Sequence, residues 1–433
     1  MTLSFVFKSF ARKNYKLEIN LKNMQIIGDF HIHGRYAQAC SKTTTIEDLE
    51  KNAKLKGLNI LGTGDAQHPL WNKEILSKLT EDESGILWTK NKFPFIWQTE
   101  ISLMYSQNGK GRRIHHIVLL PNKEVVDQFI ESLLKRGRID YDGRPIFGIS
   151  SIEFVEMLKS ISQDIEIIPA HAWTSYFGIM GSKSGFNSVE ECFGEKSKYI
   201  HAIETGISSD PKMNRKISKL DKYHLVSFSD PHTSFPWRLG REATIFDCKL
   251  TYKDIINSIR TGNGLKGTIE TPPEYGKYHV DGHRDCNINL NFEESKKLNK
   301  ICPKCNKPLT IGVEYRIEEL ADRKEPKDVP YFVSLIPLTE LICSVYGISQ
   351  LASKKVWEVY NNLISKFGNE YNIMLNVSKE DLIKIIDEKL ANIIIKNREG
   401  KLKIQPGYDG VYGKILLDQN EIVKKKQKSL SDF

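Results

Sequence analysis

IIGDFHIH, residues 26–33, is the stretch of sequence that decides the fold. Its apolar residues begin a short strand-like run, and the run ends in the pair His31 and His33. Side chains two apart on an extended backbone point to the same side, so both imidazoles can face one point. The stretch therefore predicts a buried strand that ends in two candidate metal ligands.

Six further apolar runs of this kind follow before residue 270, at residues 58–63, 95–100, 114–120, 165–171, 200–204 and 225–230. Helices are expected at residues 46–56, 125–136 and 151–161, where polar starts and glycine stops bracket periodic apolar residues. Seven strands that alternate with helices favour an α/β fold with a β/α barrel. The carboxyl ends of the strands in such a barrel form its active-site face.

Most of these runs end in a histidine or a carboxylate. The predicted metal ligands are His31, His33, Asp65, Glu100, His116, His171, Asp230 and His232, with His115 as the alternative to His116. We expect Asp230, Glu100 and Asp65 to carry the chemistry as well. Mixed imidazole and carboxylate ligands in this number predict two or three divalent metals, Zn, Mn, Mg or Fe, and such a cluster is suited to hydrolysis of phosphoesters.

A compact cysteine group follows the barrel region. Its predicted ligands are His283, Cys286, Cys302 and Cys305, at spacings typical of a structural zinc site, and His279 competes with His283 for the fourth position. We expect one structural zinc ion here. The remaining cysteines, Cys40, Cys192, Cys248 and Cys343, are interpreted as ordinary buried residues.

The composition changes along the chain indicate five segments. They are an N-terminal extension at 1–25, a catalytic barrel at 26–270, a zinc-binding module at 271–325, a helical C-terminal region at 326–420 and a basic disordered tail at 421–433. Within the helical region, Ser378 followed by Asp381 predicts the start of one amphipathic helix that Gly400 ends.

Lysine and arginine number 63 against 54 for aspartate and glutamate, a net charge of +9 that favours polyanionic partners. Apolar runs are too short for a membrane helix, no signal peptide is recognisable, and an odd number of cysteines suits a reducing compartment. We therefore expect a cytoplasmic, nucleoid-associated monomer without a membrane partner.

The strand-end motifs resemble the polymerase-and-histidinol-phosphatase (PHP) family. The motifs are His31-x-His33, Asp65, Glu100-Ile-Ser, His116-Ile-Val, His171 and Asp230-x-His232. The resemblance implies a distorted seven-stranded barrel with a trinuclear site. This chain departs from the family pattern at residues 38–40 and at Ala66, where an aspartate and a histidine are usual, and His68 is a possible substitute.

The strings GTGDAQHP at 62–69, HAW at 171–173, GSKSGF at 181–186, SSDP at 208–211, DGHR at 281–284 and PGYDG at 406–410 also resemble the archaeal endonuclease Q family. That resemblance implies a DNA repair endonuclease that recognises uracil, hypoxanthine, xanthine and abasic sites and cuts on the 5′ side of the lesion, with a sliding clamp as a possible partner.

Reading a damaged base requires a pocket for an extruded nucleotide. The expected substrate-binding residues are Trp173, Tyr176, Phe177, Ser182, Lys183, Ser184, Gly185 and Arg215, with Arg112, Arg113, Arg136, Arg138 and Arg238 as further candidates for backbone contacts. Two alternatives are a PHP phosphatase or exonuclease acting on nucleotides or DNA ends, and a DNA-binding protein that has lost catalysis.

Overall fold

The computed structural model describes residues 25–418 and 421–423. The expected N-terminal extension, apart from Gln25, and most of the expected basic tail lie outside the described residues. Among the helices that are described, none is long and apolar enough to cross a membrane.

Between residues 25 and 270, the described part of the chain contains twelve strands and seven α-helices. The strands are β1 (Ile26–Asp29), β2 (Ile60–Gly62), β3 (Thr80–Glu81), β4 (Leu87–Trp88), β5 (Pro94–Gln107), β6 (Lys110–Leu120), β7 (Ile146–Phe147), β8 (Glu166–Pro169), β9 (Ala202–Glu204), β10 (His224–Val226), β11 (Ala243–Phe246) and β12 (Leu265–Glu270). The helices are α1 (Ile46–Lys56), α2 (Pro69–Lys78), α3 (Lys123–Leu134), α4 (Ser151–Ile161), α5 (Val189–Phe193), α6 (Pro211–Asn214) and α7 (Tyr252–Thr261).

Eight of these strands are connected in a circuit. The strands β1, β2 and β5 pair in parallel, and β6 and β8 follow with antiparallel pairing. After β8, the amide of Ala172 donates to the carbonyl of Glu204 in β9, and β9 pairs with β10. After β10, the amide of Ser227 donates to the hydroxyl of Thr244 in β11. The strand β11 pairs with β1 and closes the circuit. All seven expected strands are present, and the predicted α/β architecture is confirmed.

The interior of this circuit is filled by apolar side chains from every one of its strands. They include Ile26, Ile60, Ile96, Ile117, Ile168, Ala202, Val226 and Phe246, all buried in one cluster. Burial of a large aliphatic side chain contributes about 1.5–3 kcal/mol, so this layer is a rigid floor beneath the strand ends.

Local sequence explains the helices that cover the strands. Thr45 caps α1 by accepting a hydrogen bond from the amide of Asp48, and Gly57 ends the helix at φ 103°, a backbone region that favours glycine. Ser150 caps α4 in the same way.

The structure differs from the simple alternation of strands and helices at β5 and β6. These strands are long and form a hairpin closed by a turn at Asn108 and Gly109, without a helix between them. The eighth strand of the circuit, β11, was missed by the sequence interpretation because its four residues carry no site residue.

The rest of the chain contains the cysteine group and the helical region. Its elements are β13 (Asp281–His283), β14 (Ile288–Leu290), α8 (Phe292–Lys297), α9 (Val313–Leu320), β15 (Phe332–Ser334), α10 (Leu338–Tyr346), α11 (Lys354–Phe367), α12 (Glu370–Leu375), α13 (Lys379–Leu382), α14 (Glu388–Arg398), β16 (Lys403–Gln405) and β17 (Lys414–Leu416). The strand β15 extends the barrel sheet by pairing with β12.

The prediction of a single helix between Ser378 and Gly400 is wrong. Ser378 does cap a helix, but α13 ends after one turn, and Asp387 caps α14 as a separate helix. The polar cap inside the periodic pattern interrupts it, because the Asp387 side chain satisfies the amide of Leu390.

A buried ion pair ties the helical region to the barrel. The ammonium of Lys56, at the end of α1, lies 2.7 Å from Glu370 of α12, and both side chains are 2% exposed. Glu370 also accepts the amide of Leu338 and the hydroxyl of Tyr360. Loss of one partner of such a pair costs about 3–5 kcal/mol, so the two parts are fixed firmly against each other.

Candidate metal centre

Four side chains from three segments of the barrel converge on one point. Nε2 of His33 lies 3.2 Å from both Glu100 and Asp230, and Nε2 of His31 lies 3.4 Å from Glu100. Nε2 of His31, Nε2 of His33 and Oδ1 of Asp230 are buried without a hydrogen-bond partner. Buried polar atoms normally have partners, so this arrangement fits a cation held by His31, His33, Glu100 and Asp230.

A second group of ligands shares Glu100 with the first. Glu100 Oε1 lies 2.8 Å from Nδ1 of His115 and 3.2 Å from Nε2 of His171. Burial lowers the pKa of His115 to about 4, which leaves its imidazole neutral and able to bind a cation. The carboxylate of Glu100 therefore belongs to both groups of candidate ligands.

Buried partners hold the ligands in orientation. Glu204 lies 3.0 Å from Nδ1 of His31 and also accepts the amide of His171, Asp65 lies 2.9 Å from Nδ1 of His33, and Thr174 lies 2.8 Å from Nδ1 of His171. Hydrogen bonds of this kind fix the tautomer and raise the basicity of a ligand. Glu204 was missed by the sequence interpretation, although it ends the sixth predicted strand.

The backbone at three of these positions is strained. Asp65, His171 and Asp230 have φ values of 42°, 30° and 43°, in the left-handed region that ordinary residues avoid. Such conformations cost about 1–3 kcal/mol each and are concentrated at functional sites. Two of these residues, His171 and Asp230, belong to the ligand groups.

Charges in the site stabilise the ionised carboxylates. Burial alone would raise the pKa of Glu100, but a hydrogen bond from His115 and the charges of His31 and Arg144 hold it well below its usual range. The guanidinium of Arg144 lies 3.1 Å from Glu100 Oε2 and is 23% exposed. Arg144 was not predicted from the sequence, because its position in an irregular loop gives no signal.

The prediction that His116 is the eighth ligand is wrong. Its Nε2 lies 2.9 Å from the hydroxyl of Ser151, and its ring packs against Phe154 and Phe193 on the far side of the sheet. Consecutive strand residues point to opposite faces, and the β5–β6 register places His115, opposite Ser102, on the face of Glu100. The alternative, His115, therefore occupies the site.

Other predicted ligands lie beside the two groups without joining them. The oxygens of Asp65 are used by His33 and by the amide of Gly34, and the ring of His232 lies 5.6 Å from that of His33. His68, the possible substitute, stacks on Tyr36 at 4.6 Å and joins neither group.

Two of the predicted substrate-binding residues are buried elsewhere. Trp173 is 1% exposed and donates to Asn214, and the guanidinium of Arg215 donates to the carbonyls of Leu220 and Tyr223. Neither can stack on a base or contact a phosphate, so both predictions are wrong. Trp173 and Arg215 both follow a site motif in the sequence, but both side chains pack in the protein interior.

The other predicted substrate residues belong to a loop between the barrel and the cysteine group. Phe177 stacks on His115 at 4.2 Å, Ser182 donates to the carbonyl of Ile311, and Tyr176 is 43% exposed beside Tyr278. Ser184 donates to the carbonyl of Arg113, the carbonyl of Gly185 accepts from Arg112, and Lys183 and Arg113 are exposed. Arg136, Arg138 and Arg238 are paired with Glu153, Asp140 and Glu340.

The cysteine group forms as predicted in its geometry. Ligand atoms of His283, Cys286, Cys302 and Cys305 all lie within 4.8 Å of one another, with Cys305 3.8 Å from Nδ1 of His283. Three thiols and one imidazole around one point fit a tetrahedral zinc ion. His279, the competing residue, points elsewhere and its Nδ1 is buried without a partner.

A cavity of about 520 Å³ opens next to Asp230 and His232. Its walls come from the barrel, the cysteine module and the C-terminal segment, and they include Trp237, Arg238, Arg241, Lys277, Tyr278, His279 and Tyr412. A volume in this range suits a single bound small molecule or nucleotide. The aromatic and cationic walls suit a base and its phosphate.

Comparison with solved structures identifies the family. A crystal structure of the lesion-specific endonuclease PfuEndoQ from Pyrococcus furiosus superposes with a TM-score of 0.82 and 31% identity, covering 94% of this chain and 98% of that one. The chain belongs to the endonuclease Q family. An endonuclease Q structure in complex with a 27-mer duplex carrying an abasic lesion at the active site matches equally well, at 32% identity over 93% of this chain and 99% of that one with a TM-score of 0.82.

Two further comparisons match parts of the chain. Residues 337–401 match the family model described as the MJ0043 C-terminal domain, which covers α10 to α14. The uncharacterized protein MJ0043 of Methanocaldococcus jannaschii is 34% identical over 346 residues, covering 75% of this chain, and the chain spans 41% of that protein.

Proposed function

We propose that this protein is a DNA repair endonuclease that hydrolyses the phosphodiester on the 5′ side of a deaminated base or an abasic site. The observation that carries the proposal is Glu100, which joins two groups of metal ligands beside a cavity of about 520 Å³. The complex of the endonuclease Q relative with a duplex that carries an abasic lesion supports the same substrate class.

The site residues would hold two divalent metals. Ligands of the first are His31, His33, Glu100 and Asp230, and ligands of the second are Glu100, His115 and His171. Metals bound by these residues would supply Lewis-acid chemistry for phosphoester hydrolysis near neutral pH. Zn, Mn and Fe suit these ligands, and among the described strand-end residues no third group of three ligands supports a trinuclear site.

The chain's own residues position the reaction. Asp65 and Glu204 orient His33 and His31, so Asp65 acts as a positioning residue. Arg144 keeps one amino group on Glu100, and the exposed part of its guanidinium would donate to a phosphate oxygen of the substrate.

The cavity would take the extruded nucleotide. Extrusion costs a few kcal/mol and is cheapest where pairing is already weak, which favours damaged bases. Tyr278, Tyr412 and Trp237 provide apolar faces, and His279 lines the same cavity. Uracil, hypoxanthine and xanthine are the proposed bases, and the domain boundaries, the sliding clamp, the monomeric state and the nucleoid location remain predictions.

The experiment uses a closed circular duplex with one deoxyuridine, deoxyinosine or abasic site, and the purified chain with Mn²⁺, Mg²⁺ or Zn²⁺. We expect nicking on the 5′ side of the lesion that leaves a 3′ hydroxyl, and no nicking of undamaged circles. An enzyme that requires a free end cannot act on a circle, so cleavage restricted to linear ends would favour the PHP exonuclease or phosphatase alternative.

Asp230→Asn provides the control for catalysis. It removes one ligand from the first group and leaves the cavity walls in place, so it should bind the lesion duplex normally and fail to nick it. Full nicking by Asp230→Asn would contradict the ligand assignment.

A further inference from the structure

An aromatic cluster lies where the barrel meets the helical region. The rings of Phe235 and Trp237 are parallel, with centroids 4.4 Å apart, and Trp357 of α11 lies 5.7 Å from Trp237. Phe235 is the outermost member and is 42% exposed. An aromatic side chain that is held this openly at a loop tip offers one free face for stacking.

The cluster is continuous with the candidate site. Trp237 lines the cavity together with Asp230 and His232. Phe235 follows His232 by three residues, so their Cα atoms are at most about 11 Å apart. A nucleotide held in the cavity therefore has its neighbouring base pairs within reach of Phe235.

The loop that carries Phe235 is rigid. The buried ammonium of Lys56 donates to the carbonyl of Pro236 at 2.9 Å while it also pairs with Glu370. Tyr360, whose hydroxyl donates to Glu370, packs edge-on against Trp357 at 5.1 Å. A side chain fixed in this way loses little conformational entropy when it binds.

Exposed cations lie on segments that adjoin the cluster. Lys354 lies one helical turn before Trp357 and its side chain is 92% exposed. Lys42 is exposed next to Ser41, whose amide donates to the carbonyl of His232. Positive charge on segments that adjoin an apolar tip fits contact with the phosphate backbone of DNA.

We propose that Phe235 inserts into duplex DNA beside the lesion and fills the space that the extruded nucleotide leaves, with Trp237 and Trp357 as its support. Apolar wedges of this kind unstack a base step in other DNA-bending proteins. The inference rests on the proposed function and adds a role that is needed only when the lesion lies in a duplex.

The test compares Phe235→Ala with wild type on the same lesion in duplex and in single-stranded DNA. We expect kcat/KM on the duplex to fall about 5- to 100-fold, the effect of losing one base–aromatic stack, and activity on the single strand to change by less than about threefold. Phe235→Trp should retain most duplex activity. Leu76→Ala, which removes another exposed apolar side chain (47% exposed) on α2, is the matched control and should behave as wild type on both substrates.

Each other outcome overturns the proposal. Equal losses on both substrates would show that Phe235 only supports the fold, and no loss on either would show that it does not touch DNA. A wild-type dimer that Phe235→Ala converts to a monomer in solution would show that a second copy covers the tip. Failure of wild type to cut any lesion would overturn the proposed function itself, and this inference with it.

Discussion

The adjacent histidines His115 and His116 offer a sharp test of the metal centre. His115→Ala leaves its ligand group with Glu100 and His171, two protein ligands where catalytic zinc sites usually have three. Loss of outer-shell partners alone lowers metal affinity about 10- to 100-fold, so loss of a direct ligand should cost about 100-fold or more. We expect His115→Ala to bind about one metal fewer. Its kcat should fall by about 100-fold or more, like the metal affinity.

His116→Ala should have the opposite profile. It removes a ring that packs on Phe154 and Phe193 and a hydrogen bond to Ser151, and loss of a buried aromatic side chain costs about 3–5 kcal/mol of folding free energy. Metal content and kcat of the folded protein should be unchanged. His116→Phe, which keeps the packing, should be more stable than His116→Ala and equally active.

Native mass spectrometry gives the metal count, chemical denaturation gives the stability, and nicking of a lesion-containing circle gives the rate. The assignment would be refuted if His116→Phe lost a metal or if His115→Ala kept its full complement and turnover.

Two other predictions concern zinc and pH. Cys302→Ser should release the structural zinc and lower the melting temperature, because zinc binding contributes to folding. Cys343→Ser, at a cysteine outside the group, should keep its zinc. Equal zinc content in both variants would contradict the site. Burial lowers the pKa of His116 to about 3, below the value of about 6.5 in an unfolded chain. Between these values only the unfolded chain holds the proton, so stability falls by up to about 1.4 kcal/mol per pH unit as the pH drops from about 6.5 toward 3. His116→Phe lacks this dependence, so its stability relative to wild type should be higher at pH 5 than at pH 7. Urea denaturation at the two pH values measures this difference in stability. The same difference at both pH values would contradict the burial of a neutral His116.

The sequence by itself determined the strands and most of the chemistry of the site. Short apolar runs ending in histidine or carboxylate predict buried strands with polar ends, and the spacing of His283, Cys286, Cys302 and Cys305 requires only local turns to bring the ligands together. Such local patterns persist whatever the rest of the chain does.

Only the tertiary structure decided which of two adjacent residues enters the site and which face of a strand lines it. The choice of His115 over His116 depends on the register of β5 against β6, and one residue of slip would exchange their faces. Glu204 and Arg144 join the site because distant segments close around it, and Trp173 and Arg215 leave it because the core needs them. Pairing register and packing depend on contacts far apart in the chain, and a single sequence does not display these contacts.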